Sequence, residues 1–210
     1  MHISEGVLSV PVLAGGWAVA ATGLAVGLKR IEPERLPEVG LLSAVFFVAS
    51  LIHVPIGPVS AHLVLNGLIG LILGAAAFPA IFVGLALQAV LFQFGGLAVL
   101  GVNTTTMALP AFLCGLLFRP LLGSGRRAVA LAAGGAAGFL GVLLAGCLTS
   151  TALALSGEAF VTAAQAVLLA HVPVMVMEAL LTALAVGFLA KVQPALLVRP
   201  PVLGSVRTKA

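Results

Sequence analysis

A chain of 210 residues that is 61% hydrophobic and 8% charged, with a mean hydropathy of +1.26, has too little polar surface for a water-soluble domain, so lipid must cover it. Its formal charge of +4 comes from ten Lys and Arg against six acids, but the cations stand in short clusters between apolar runs with no tyrosine anywhere, which excludes nucleic acid as a partner. Cys114 and Cys147 lie inside apolar runs without CxxC spacing and read as small core residues.

The chain opens Met1-His2-Ile3-Ser4-Glu5-Gly6 and meets its first basic residue at Lys29, so it lacks the basic n-region of a cleaved signal peptide. The expectation is a mature start, with the bulky His2 sparing Met1 from aminopeptidase. A helix needs about 20 apolar residues to cross a bilayer. Stretches of that kind run at about 8–28, 39–54, 62–78, 79–94, 104–121, 128–152 and 172–190. They predict an all-α integral membrane protein, a single domain over 1–210 with about seven transmembrane helices. The third and fourth spans meet at an Ala77-Phe78-Pro79 corner and should form a tight hairpin. Residues 158–191 are too long for one crossing, and Pro173 is the natural break, leaving 159–170 as a short external or re-entrant helix.

Orientation follows from the basic residues near span ends. Lys29, Arg30 and Arg35 follow the first span, Arg119, Arg126 and Arg127 separate the fifth and sixth, and Lys191, Arg199, Arg207 and Lys209 follow the seventh. With that many spans all ten fall on one side, which predicts an outer N-terminus and a cytoplasmic C-terminus in a bacterial cytoplasmic membrane.

The four histidines, His2, His53, His62 and His171, then face outward together, and imidazole is the commonest ligand for Ni, Co, Cu and Zn. His2 has a special covalent setting. The Met1 amine and the His2 amide nitrogen close a five-membered chelate ring, and the His2 amide nitrogen and Nδ1 close a six-membered one. Three nitrogens lie in a plane and leave a fourth place for a second histidine, a geometry that suits Ni(II) or Cu(II) better than Co(II). The amide must lose its proton, so affinity should fall in acid. Asn66 and Asn103 could orient ligands, and Glu178, seven residues after His171, could hold that histidine or an internal network.

The opening hexapeptide, the loop Pro55-Ile56-Gly57-Pro58-Val59-Ser60-Ala61-His62, and the run Phe94-Gly95-Gly96-Leu97-Ala98-Val99-Leu100-Gly101-Val102-Asn103 to Met107-Ala108-Leu109-Pro110 resemble the CbiM/NikM family. His171-Val172-Pro173 with Glu178 is similar to its last helix. The resemblance implies a substrate-binding subunit of a cobalt or nickel energy-coupling-factor transporter, with the metal held by Met1, His2 and His62. It departs from the family pattern in Leu63, Val64 and Leu65 after that histidine, which puts contacts behind the ligand in question. The implied partners are a transmembrane coupling subunit, ATP-binding subunits and a small accessory membrane subunit, with Ni2+ or Co2+ as cargo and no cofactor. There is no Walker A motif, so the energy must come from other chains, and the absence of HExxH and G-x-S-x-G argues against an enzyme. The rival reading is a stand-alone secondary transporter or cation channel, which predicts midplane charges or inverted repeats; Glu178 alone fits it.

Overall fold

The computed structural model describes residues 2–51, 53–56 and 59–198, with the backbone alone for 53–56 and 59–61. A short strand, β1 (His2–Ile3), leads into α1 (Val10–Lys29), whose Pro11 sits in the first turn, where its missing N–H has no helical partner to lose. A 3-10 turn at Pro33–Arg35 starts α2 (Leu36–Ala49). β2 (His53–Ile56) and β3 (Val59–His62) pair antiparallel and precede α3 (Asn66–Leu73), a 3-10 turn at Gly74–Ala76, and α4 (Ala77–Phe92). The long helices α5 (Leu100–Leu122) and α6 (Arg127–Ala154) follow, then a 3-10 turn at Glu158–Phe160, α7 (Val161–Ala170), α8 (Val172–Val192) and the single turn α9 (Ala195–Val198).

Among the described residues, five helical runs, two of them interrupted, are long and apolar enough to cross a membrane: Val10–Lys29, Asn66–Phe92, Leu100–Leu122, Arg127–Ala154 and Glu158–Val192. Val19, Leu117, Phe139, Leu180 and Phe188 stand exposed on their outer faces, which suits contact with lipid and not with water. The chain is a multi-pass membrane protein.

The run Asn66–Phe92 contains a reversal. His62, just before α3, and Gln88, near the end of α4, both contact His2, so the two helices must run in opposite directions. The turn lies at Gly74, whose φ of +58° a side chain would resist, and not at the predicted Ala77-Phe78-Pro79 corner. Because α3 is only 8 residues long, the upper part of this crossing is the irregular segment Leu63–Leu65, with Leu65 at φ +52°. Backbone of that kind survives at membrane depth only when protein groups satisfy it. Here Oε1 of the buried Glu178 accepts the N–H groups of Val64 at 2.5 Å and Leu65 at 2.8 Å.

Helix α5 lies centrally, packed against α1, α3, α4 and α6, and α6 packs on α8. Small residues permit the approach: a Cβ on Gly70 would strike the backbone of Ala111, and one on Gly115 the backbone of Gly70. At the far end from His2, Arg30, Arg35 and Arg119 line one small cavity, and Arg126, Arg127 and Lys191 another of about 370 Å³. The described basic residues thus do gather at one end of the bundle; Arg199, Arg207 and Lys209 lie outside the described residues.

Three further expectations are amended. The all-helical fold carries a three-stranded antiparallel sheet, ordered β1-β3-β2, at the His2 end. The third span begins at Asn66 and the second stops at Ala49, because residues expected to extend both helices are drawn into that sheet. Cys114 is buried as expected, but Cys147 is exposed on α6. The break before Pro173 falls where it was expected, at His171 between α7 and α8.

Candidate metal site

Strand register brings the two key histidines together. His2 lies opposite Ser60 and Ile3 opposite Val59, and because side chains alternate along a strand, His62 shares a face with Ser60 and hence with His2. The two rings meet with centroids 4.6 Å apart and planes tilted by 32°, both buried, with the Phe94 ring 6.3 Å from His2.

Asn103, near the start of α5, fixes the first strand in place. Its Oδ1 accepts the Ile3 N–H at 3.0 Å and its Nδ2 donates to the Ile3 carbonyl at 3.2 Å, so one side-chain amide does the work of a neighbouring strand. The preceding loop adds to the grip: the Glu5 N–H donates to the Gly95 carbonyl at 3.1 Å, and the Ala98 N–H donates to Glu5 Oε1 at 2.8 Å. Gly96 has φ +136°, and a Cβ there would collide with the Glu5 side chain. The glycine-rich run that opens the Phe94–Asn103 motif is therefore shaped around residues 2–5.

Hydrogen bonds assign each imidazole a tautomer. Gln88 donates from Nε2 to the Phe47 carbonyl at 3.3 Å and to Ser50 Oγ, which turns its Oε1 toward His2 Nε2 at 2.6 Å. His2 Nε2 therefore carries the proton and Nδ1 the lone pair. His62 Nδ1 donates to the Leu63 carbonyl at 2.7 Å, which puts its lone pair on Nε2. Burial holds the His62 imidazole well below its usual range, with His2 and His171 acting in the same direction. A neutral imidazole with an oriented lone pair is the form that binds a metal ion.

The other expected residues are distributed around this pair. His53 stands opposite His62 in the sheet register; its side chain, like Met1, lies outside the described residues. Asn66 donates from Nδ2 to the Gly141 carbonyl at 3.0 Å and accepts the Gly67 N–H at 2.9 Å, joining α3 to α6. Glu178 holds Val64 and Leu65 behind His62. His171 is fully buried and donates from Nδ1 to the Val167 carbonyl at 2.6 Å. Among the described residues no three His, Cys, Asp or Glu side chains stand close enough to hold one metal ion. The described share of the expected ligand set is the His2–His62 pair. Gln88 and Ser50 were not singled out from the sequence, although a glutamine inside an apolar span was the available signal.

Comparisons with known proteins place the whole chain among metal-transport proteins. The family model for the CbiM cobalt uptake substrate-specific transmembrane region matches residues 2–196. A Haemophilus influenzae protein named for metal transport is 45% identical over 199 residues, covering 92% of this chain and 95% of that protein. The cobalt transport protein CbiM of Geobacter sulfurreducens is 34% identical over 146 residues, 64% of this chain and 42% of that protein. The fused nickel transport protein NikMN of Rhodobacter capsulatus is 35% identical over 114 residues, 51% of this chain and 33% of that protein. The chain thus spans nearly all of the first relative and less than half of the other two. Among solved structures, a transition metal transporter superposes with a TM-score of 0.80 at 28% identity over 91% of this chain and 93% of that one. A truncated transition metal transporter gives 0.78 at 28% identity over 91% and 99%.

Proposed function

Since the chain belongs to the CbiM family, we propose that it is the metal-capture membrane subunit of an energy-coupling-factor importer for Ni2+ or Co2+. The ion binds at the outer face to the Met1 amine, the His2 amide nitrogen and Nδ1, and His62 Nε2. The C-terminus is cytoplasmic, the membrane is the bacterial cytoplasmic membrane, and the whole chain acts as one metal-binding domain. Power comes from separate ATP-binding chains through a transmembrane coupling subunit, with a small accessory membrane subunit completing the complex. The chain itself carries out no catalysis.

The observation that carries this reading is the pair of tautomers. A chelate that uses the His2 amide nitrogen needs Nδ1 of the same residue, because Nε2 points away from the ring being closed. Gln88 Oε1 accepts the hydrogen bond of the other nitrogen and so keeps the proton on Nε2, and His2 presents the donor the chelate requires. His62, buried against His2, presents Nε2. A planar all-nitrogen set of this kind suits Ni(II) better than Co(II).

The test is one residue added before Met1. A Gly or Ala there converts the amine into an amide and should abolish high-affinity binding of Ni2+ or Co2+ by the purified protein while leaving it folded. His62→Ala should do nearly the same. Binding that survives the extension would refute the chelate, and uptake by this chain alone, without ATPase subunits, would favour a secondary transporter.

A further inference from the structure

The larger cavity at the basic end of the bundle has no part in metal capture. At about 370 Å³ it falls within the range of small-ligand sites, about 300–1,000 Å³. The α5–α6 loop brings Arg126 to its rim, the first turn of α6 brings Arg127, and the last turn of α8 brings Lys191. Leu122, Ala130 and Leu197 form a buried apolar floor. Gly187 and Ala190 leave the space open, since neither carries a side chain that could fill it.

The charge of this cavity is one-sided. No carboxylate lines it among the described residues. The chain has only six acidic residues, all Glu, and none of them falls in 39–157. The smaller cavity differs, because its Arg35 is bridged to Glu38 at 3.1 Å. Arg126 and Arg127 also stand at the start of the 28-residue α6, with no acid in its first turn, where the helix dipole disfavours cations. Three cations around one cavity repel one another, and a bound negative charge relieves that repulsion.

The rim continues as an apolar surface. Leu180, Leu184, Gly187 and Lys191 recur at helical spacing along one side of α8, and Leu180 and Leu184 are exposed. Cations above an apolar floor, continued by an exposed apolar stripe, complement a molecule with an anionic head and a hydrocarbon tail better than a free anion. In a multi-pass membrane protein such molecules are at hand in the surrounding bilayer.

We propose that this cavity binds an anionic phospholipid from the leaflet at the basic end. Its phosphodiester sits between Arg126, Arg127 and Lys191, and an acyl chain lies along Leu184 and Leu180. The bound head links the end of α8 to the start of α6, so occupancy stabilises the folded chain. Such binding requires only that the chain sit in a bilayer, whether or not His2 and His62 capture a metal.

The test is thermal unfolding of the purified full chain in a neutral detergent, titrated with phosphatidylglycerol, with phosphatidylcholine of the same acyl chains, or with inorganic phosphate. Phosphatidylglycerol should raise the midpoint with an affinity at least about tenfold higher than phosphatidylcholine, and inorganic phosphate should not reproduce the rise. The double variant Arg126→Gln/Arg127→Gln should lose at least about tenfold in affinity for phosphatidylglycerol. Lys29→Gln/Arg30→Gln removes the same charge from the same end and should stay within about twofold. Ala190→Phe fills the cavity from an exposed position, keeps every charge and should lose affinity as the double variant does. A chain ending at Val198 should still prefer phosphatidylglycerol. Equal response to the two lipids, equal losses in the two double variants, or unchanged affinity in Ala190→Phe would each overturn the proposal. A rise with inorganic phosphate as large as with phosphatidylglycerol would make the ligand a soluble anion and overturn it. A preference that arises only when residues 199–210 are removed would make that segment the occupant and overturn it as well.

Discussion

Replacing Asn103 by Leu removes the two hydrogen bonds to Ile3, at 3.0 and 3.2 Å, with little change in volume. Each buried neutral bond contributes about 1–1.5 kcal/mol, so the docked position of residues 2–5 loses about 2–3 kcal/mol. The helices do not depend on this contact, so the loss falls on docking and not on the global fold. At about 1.4 kcal/mol per decade, the affinity for Ni2+ or Co2+ should weaken by about 30- to 150-fold. Calorimetric titration of the detergent-solubilised protein measures this directly, and thermal unfolding should move little in the absence of metal. An affinity within twofold of the unmodified protein would refute the claim that Asn103 sets the N-terminal strand for binding. A large loss of thermal stability would show that the contact belongs to the core.

Gln88→Leu removes the partner of His2 Nε2 and should weaken metal binding about tenfold in the same titration, without changing the Ni2+ to Co2+ preference. Glu178→Ala leaves two N–H groups, those of Val64 and Leu65, without their acceptor, at about 1–3 kcal/mol each, and should lower the unfolding midpoint even without metal. Gly70→Leu forces a side chain into the Ala111 backbone, so it should cost about 1–3 kcal/mol and separate α3 from α5, visible as reduced thermal stability. Acid should destabilise the protein through His62. Its folded pKa lies well below 6.5, so below about pH 6.5 the unfolded chain takes up a proton that the folded chain refuses, and stability falls as pH falls. Above that pH the group contributes no slope. Unfolding midpoints between about pH 8 and pH 5 should show the fall, at most about 1.4 kcal/mol per pH unit from this residue, and His62→Gln should flatten it.

Helix positions were largely legible because a membrane leaves them few alternatives: α1, α5, α6 and α8 lie close to their expected ranges, and the α7–α8 break falls next to Pro173. The sheet was not legible. His53 to His62 is an apolar run flanked by helical ones, and nothing in its local pattern says that it pairs with residues 2–3, more than fifty positions away. Misplacing that segment put His62 at the head of α3 with Asn66 one turn after it, whereas His62 ends β3 and Asn66 itself begins the helix. Glu178 was noticed as an isolated carboxylate, but its actual partners are backbone amides, which carry no side-chain signature in any sequence. Gln88 was missed for a related reason, since its role appears only once α4 has turned back at Gly74 and returned its far end to His2.

The bond pair between Asn103 and Ile3 also acts as a ruler. It measures the position of His2 from the interior of the bundle and not from the chain's first atom. Residues added in front would therefore extend outward past the site and leave the His2 ring where it is. An elongated protein should keep its two imidazoles paired and lose only the terminal amine, so a synthetic amine supplied in solution, such as ethylamine, becomes a candidate for restoring what the extension took away.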